Sequence, residues 1–158
     1  MSRLKFRNHP KSQFFATVRQ RVDAHFEAGN TSRNANTQMW IKTAFFLTGF
    51  FLLYSLIISN QFGVWAMLGM AMLLGMFSAF VGFNVCHDAI HGSFSSNKFV
   101  NSVLSSIFNL LGASAYVWNI THNAVHHTFT NIPGHDEDIE IAPYLIRISP
   151  DEPVNKIQ

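Results

Sequence analysis

The sequence predicts an all-α integral membrane protein, built as a transmembrane helical hairpin plus cytoplasmic or interfacial helices carrying two histidine boxes. Three observations predict it. The runs 39–59 and 62–85 are apolar and long enough to cross a bilayer. The basic residues gather on one side of that pair. Five of the eight histidines fall within His87 to His127, at helical spacings. Composition agrees: 48% of residues are hydrophobic, only 13% are charged, and the sixteen Phe concentrate in runs. A net charge of +2 is too small to point to nucleic acid. Cys86 is the single cysteine, so no intrachain disulfide forms, and it reads as a small buried residue beside His87.

Residues 1–38 form a cytoplasmic N-terminal segment. Met1 to Pro10 is basic. Lys11 to Ala28 sets Phe14, Phe15, Val18, Val22 and Phe26 at three- and four-residue intervals, with Gly29-Asn30 as a stop. This amphipathic helix either lies in the headgroup region or packs on the rest of the protein. Asn30 to Thr37 is a polar linker.

Residues 39–85 hold the two transmembrane helices. Met39 to Ser59 carries one charge, Lys42, at its edge, and its 21 positions span about 31 Å, against a hydrocarbon core of about 30 Å. Asn60-Gln61 is a turn too short for anything but an antiparallel hairpin. Phe62 to Val85 crosses back without a charge, with Gly69, Gly75, Ala79 and Gly82 offering close backbone approach. Eight of the eleven Lys and Arg precede or open the first span and three follow the second, so the N-terminus and the histidines are expected in the cytoplasm. No secretory signal precedes the first span.

Residues 86–158 form a cytoplasmic histidine region. Its apolar stretch 99–118 contains Asn101, Asn109 and four serines. It is expected as one interfacial or re-entrant helix, because a crossing would separate the two clusters by about 30 Å. The tail from Thr128 onward is polar and proline-rich. His135-Asp136-Glu137-Asp138 lacks the glycine of a calcium loop and reads as a solvated acidic loop. His9, His25 and His135 read as ordinary polar side chains.

Neutral imidazole ligates iron, zinc and copper. Four helical residues advance about 6 Å and return to nearly the same face, so His87 and His91 can aim at one ion. His122 and His126 repeat the arrangement, and His127 lies about 100° further round. Five ligands exceed the need of one tetrahedral zinc, which leaves two ions, or one with ligands to spare. There is no H-E-x-x-H, and no glutamate has a histidine three positions on, which excludes one zinc peptidase class and the soluble carboxylate di-iron bundles. Asp88 either holds a neighbouring imidazole through its second nitrogen, caps a helix or meets a basic side chain. Asn123, Asn84 and Asn119 are weaker candidates for such support.

N-V-C-H-D-A-I-H-G-S-F-S (84–95) and H-N-A-V-H-H-T-F-T-N-I-P-G-H-D-E-D-I (122–139) resemble the first two histidine boxes of the membrane fatty acid desaturases, in the style of bacterial front-end, linoleoyl-CoA-type members. The resemblance implies two iron ions held by His87, His91, His122, His126 and His127, with O₂ as co-substrate. It implies an acyl-CoA or acyl-lipid substrate, an electron donor such as ferredoxin or a b-type cytochrome, and a multi-pass protein of a bacterial inner membrane. Phe94, Phe108, Tyr116 and Trp118 would line an acyl tunnel or pack within the membrane. A lipid, carotenoid or alkane hydroxylase of the same superfamily remains open, as does a non-catalytic metal- or haem-binding membrane protein or remnant. The family pattern adds a third box, (H or Q)-x-x-H-H, after a second pair of spans. Neither occurs here, while residues 149–158 resemble the loop before the third span. The expectation is the N-terminal part of a longer enzyme, inactive as isolated.

Overall fold

A computed structural model of the chain describes residues 12–139, which hold helices and turns and no strand. The expectations for Met1 to Pro10, for His9 and for the tail beyond residue 139 lie outside these residues. The chain divides into two units, 1–34 and 35–158.

In the first unit, α1 runs Phe14–Ala28, with the described residues 12 and 13, expected in the helix, preceding it. It ends where Gly29 and Asn30 turn the chain, with Asn30 in the left-handed region at φ 44°. Arg33 then returns to α1: it pairs with Asp23, and its guanidinium lies 5.4 Å from the Phe26 ring centroid.

In the second unit, α2 spans Thr37–Ser59 and α3 spans Val64–Ile90, both long and apolar enough to cross a membrane. Asn36 caps α2 by accepting a hydrogen bond from the Met39 N–H at 3.0 Å. Asn60 ends it in the left-handed conformation. The two helices lie antiparallel through Phe46, which stacks on Phe80 at 4.5 Å and meets Phe77 edge-on at 5.4 Å. Gly49 makes this approach possible, since a Cβ there would sit 2.1 Å from the Phe77 ring. Most other large side chains on both helices, among them Phe45, Leu52, Trp65 and Met72, remain exposed. Such an outer surface suits an apolar solvent.

Beyond Val81, α3 continues through a π-helical turn, Gly82–Cys86, and five residues past the run read from the sequence. Val81, Val85 and Ala89 form one buried stripe on it. Gly92, at φ 70°, stops the helix, and the Ser93 N–H bonds back to Asp88 O at 3.0 Å. The next helix, α4, Lys98–Leu110, lays Asn101, Leu104 and Phe108 against that stripe. Asn101 is buried and closes the intervening loop, accepting from Ser95 N–H at 2.9 Å and donating to Ser95 O at 2.7 Å. Phe94 fills the space between, 2% exposed and edge-on to Trp40 at 4.9 Å.

The stretch expected as one helix over 99–118 is two helices. α4 stops at Leu110, Gly112 takes φ 84°, and Ser114 caps a new helix, α5, Ala115–Phe129, bent by 115° from the first. The apolar composition hid this break, because a single positive-φ glycine reverses the chain without a polar residue. The central part of α5, Asn119–His126, is π-helical. A 3₁₀ turn at Glu137–Ile139 completes the described residues.

Candidate metal centre

His87 stands on the last turn of α3 and His91 just past its end, directly after the π turn, while His122 and His126 stand on the π-helical centre of α5 and His127 follows it. Widened π turns of this kind recur at functional sites. The 115° bend brings α5 back across the end of α3, and Asn123 fastens it by donating to Ile90 O at 3.3 Å and to Asn119 Oδ1 at 2.8 Å. The two histidine groups therefore meet. His87 Nε2 lies 3.1 Å from His122 Nε2 and 3.2 Å from His91 Nε2. The His122 and His126 rings stack at 4.9 Å, and the His127 ring sits 4.8 Å from that of His91 and 5.0 Å from that of His122.

The other ring nitrogens are held by carboxylates. His87 Nδ1 is 3.2 Å from Asp88, His122 Nδ1 is 2.5 Å from Asp138, and His126 Nδ1 is 2.9 Å from Asp136. A carboxylate accepts, so it favours the tautomer with the proton on Nδ1, and in that neutral form Nε2 presents its lone pair. In that form the His87 and His122 lone pairs face each other across 3.1 Å. A cation between them resolves the repulsion. Two nitrogens each about 2.1 Å from one ion stand about 3.0–3.4 Å apart at ordinary coordination angles, which matches the observed spacing. Two sets of ligand atoms can each close on one ion: His87, His91 and His122, and then His122, His126 and Asp138. The donor set fits a transition metal. His91 and His127 are held below the usual imidazole range, through burial and then through the neighbouring histidines, which favours their neutral, ligating form.

Asp136 and Asp138 correct the sequence reading of a solvated acidic loop. Asp136 is fully buried, bonded to His126 by both oxygens and to the backbone N–H groups of Asn131 and Asp138 at 2.7 and 3.1 Å. Burial pushes its carboxyl up, and the bonds from His126, Asn131 and Asp138 more than reverse this, leaving it below the usual carboxylate range. The available signal was the demand of each ligating imidazole for an acceptor on its second nitrogen. Of the other candidates, Asp88 does face an imidazole, whereas Asn123 ties helices together. Asn84 accepts from Lys42 Nζ at 2.6 Å, joining α2 to the π turn before His87. Phe94 and Phe108 are core residues, 2% and 5% exposed. Trp118 lies between Phe108 and His122, at 5.1 and 5.2 Å, and Tyr116 is 75% exposed.

The family model "Fatty acid desaturase" matches residues 63–156, more than half of the chain and all five histidines. The sn-1 linoleoyl-lipid 6-desaturase of Arthrospira platensis is 36% identical over 137 residues, which are 87% of this chain and 37% of that protein. The enzyme of the same name from Synechocystis sp. is 34% identical over 150 residues, 95% of this chain and 41% of that protein. An acyl-lipid (8-3)-desaturase of Physcomitrium patens is 30% identical over 151 residues, 95% of this chain and 32% of that protein. The chain thus spans about two-fifths or less of the length of these relatives. No solved structure matches it. With its apolar hairpin and converging imidazoles, this chain belongs to the fatty acid desaturase family.

Proposed function

We propose that this chain supplies part of the di-iron centre of an O₂-dependent acyl desaturase, placing a double bond in the chain of a membrane lipid. The observation that carries the reading is the meeting of His87 Nε2 and His122 Nε2 at 3.1 Å with carboxylates on both outer nitrogens. His87, His91, His122, His126 and His127 would hold the metal. When bound, two irons would supply O₂ reduction to water, drawing two electrons from the acyl chain and two from a donor such as ferredoxin or a b-type cytochrome. The protein's own share is positioning. Asp88, Asp136 and Asp138 fix the tautomer and tilt of three imidazoles. Trp118 covers the His122 ring with an apolar face, keeping water from that side.

In this reading α2 and α3 cross the bilayer, and α4 and α5 lie at its cytoplasmic face, the side on which the basic residues gather. Residues 1–38, 39–85 and 86–158 then serve as cytoplasmic segment, membrane hairpin and metal-bearing region. The acyl-lipid substrates named for the relatives suit a site at that depth, since the chain enters from the lipid. The test is expression of the complete reading frame containing this chain, with iron measured in the purified protein and fatty acids by gas chromatography. About two irons per protein and a new double bond support the reading. A hydroxylated product assigns the chemistry to the hydroxylase branch, and porphyrin absorbance or absence of iron rejects it.

A further inference from the structure

Lys42 is the one charged residue of α2. A charge in a membrane-spanning helix is costly and by default marks a functional contact. Three residues before it, Met39 packs against the cluster of Val85, Ala89 and Phe94; four after it, Phe46 packs against Val81 and Cys86. Lys42 therefore stands in the middle of the face that α2 turns to the π turn Gly82–Cys86, a position that packing alone would give to an apolar residue. It is half-buried and makes no ion pair among the described residues. Its ammonium instead donates to Asn84 Oδ1 at 2.6 Å, and the Asn84 NH₂ donates to Phe80 O at 3.2 Å. At the far end of the same turn the His87 N–H bonds to Gly82 O, five residues back.

We propose that Lys42 is a positioning residue of the metal centre: its bond to Asn84 holds the π turn, and the π turn sets the phase at which His87 and His91 meet His122. The inference rests on the metal-binding part of the desaturase reading. A π turn takes one residue more than an α turn, so every residue beyond it is set back by about 100° from its place on an unbroken α-helix. At the observed phase His87 Nε2 lies 3.1 Å from His122 Nε2. Relaxation of the turn to the α form would swing His87 and His91 about 100° around the axis, away from α5. π turns are rare inside α-helices, and this one is tied from outside its own backbone by a donor on the neighbouring span. The second possible ligand set, His122, His126 and Asp138, stands beyond the bend and contains no residue of α3. Loss of Lys42 therefore weakens one ion and spares the other.

The test uses the protein of the complete reading frame in lipid nanodiscs, stripped of metal and titrated with Co²⁺ against a chelator. Lys42→Met and Asn84→Leu are expected to weaken one cobalt step by about 10–100-fold, the range for partners that orient a ligand, and to leave the other within about threefold. Lys42→Arg, which keeps a long donor, retains most of the affinity. Phe50→Leu, a buried volume loss about two turns further along α2, lowers thermal stability without splitting the two steps. Hydrogen exchange of the metal-free proteins gives a second readout. Lys42→Met should speed exchange of the 82–87 amides about tenfold or more, the ratio a charge-assisted hydrogen bond gives, with residues 65–78 unchanged. No change in either cobalt step, equal weakening of both, the same split in Phe50→Leu, or unchanged exchange at 82–87 overturns the proposal. Neither arm reads turnover. The expected split in a protein that makes no unsaturated product sinks the desaturase reading and leaves the role of Lys42 standing, whereas a wild type that takes up no cobalt overturns both.

Discussion

The two histidine groups reach one place by different means. His87 and His91 are carried on the end of a long helix, and the carboxylate behind His87 is its neighbour in sequence, Asp88, at 3.2 Å and partly open to solvent. His122 and His126 sit on a short π-helical segment, and their carboxylates arrive from a loop sixteen and ten residues later, at 2.5 and 2.9 Å respectively. The first group is held by its own helix. The second is held by a folded loop, with Asp136 bound by both backbone and imidazole. The lesson is that support for a ligand follows the stiffness of the element it stands on. A long helix orients its imidazoles largely by itself, while a short irregular one borrows rigidity from the carboxylates of a folded loop, Asp136 among them fully buried.

That contrast can be broken in graded ways. Removal of His122, which belongs to both possible ligand sets, should cost the most: His122→Ala is expected to lower metal affinity by more than about 100-fold, measured by competition with a chelator. Asp136→Asn comes next. It keeps the volume and one acceptor oxygen but loses the charge and turns the other oxygen into an NH₂ donor, which cannot serve both His126 and two N–H groups; a loss toward the upper end of about 10–100-fold is expected, together with earlier proteolysis of residues 127–139. Asp88→Asn should lose about tenfold or less. If Asp88→Asn matches Asp136→Asn, the distinction between the groups fails. The smallest effect is assigned to Asn123→Ala, which severs the tie from α5 to the end of α3. About 0.5–1.5 kcal/mol of stability should be lost, read by thermal unfolding in detergent, with metal content retained.

The same contrast explains what the sequence disclosed. The hairpin was legible because 39–59 and 62–85 are read by hydropathy, a property of each residue regardless of partners. The five histidines were legible because i, i+4 spacing on a helix is local. Three things were hidden. The π turns at 82–86 and 119–126 change which residues share a face without changing composition. The break at Gly112 sits inside an apolar stretch, so hydropathy ran through it. Asp136 looked like any acid of a polar loop, because its value lies in a fold that wraps it around His126. Phe94 and Phe108 were left between two roles for a related reason: an aromatic near a histidine box can face a substrate or a core, and packing against Trp40 and Trp118 puts these two in the core.

His87 and His122 are 35 residues apart in the chain and touch at their ring nitrogens. A cation held by both would act as a staple, closing a loop whose ends the polypeptide must otherwise keep together at the expense of chain entropy. Loading the ion and fastening α4 and α5 onto the hairpin are then one event, and the grip tightens as free metal rises. A chelator should accordingly do more than silence chemistry: it should unclasp residues 98–121 and open them to proteases.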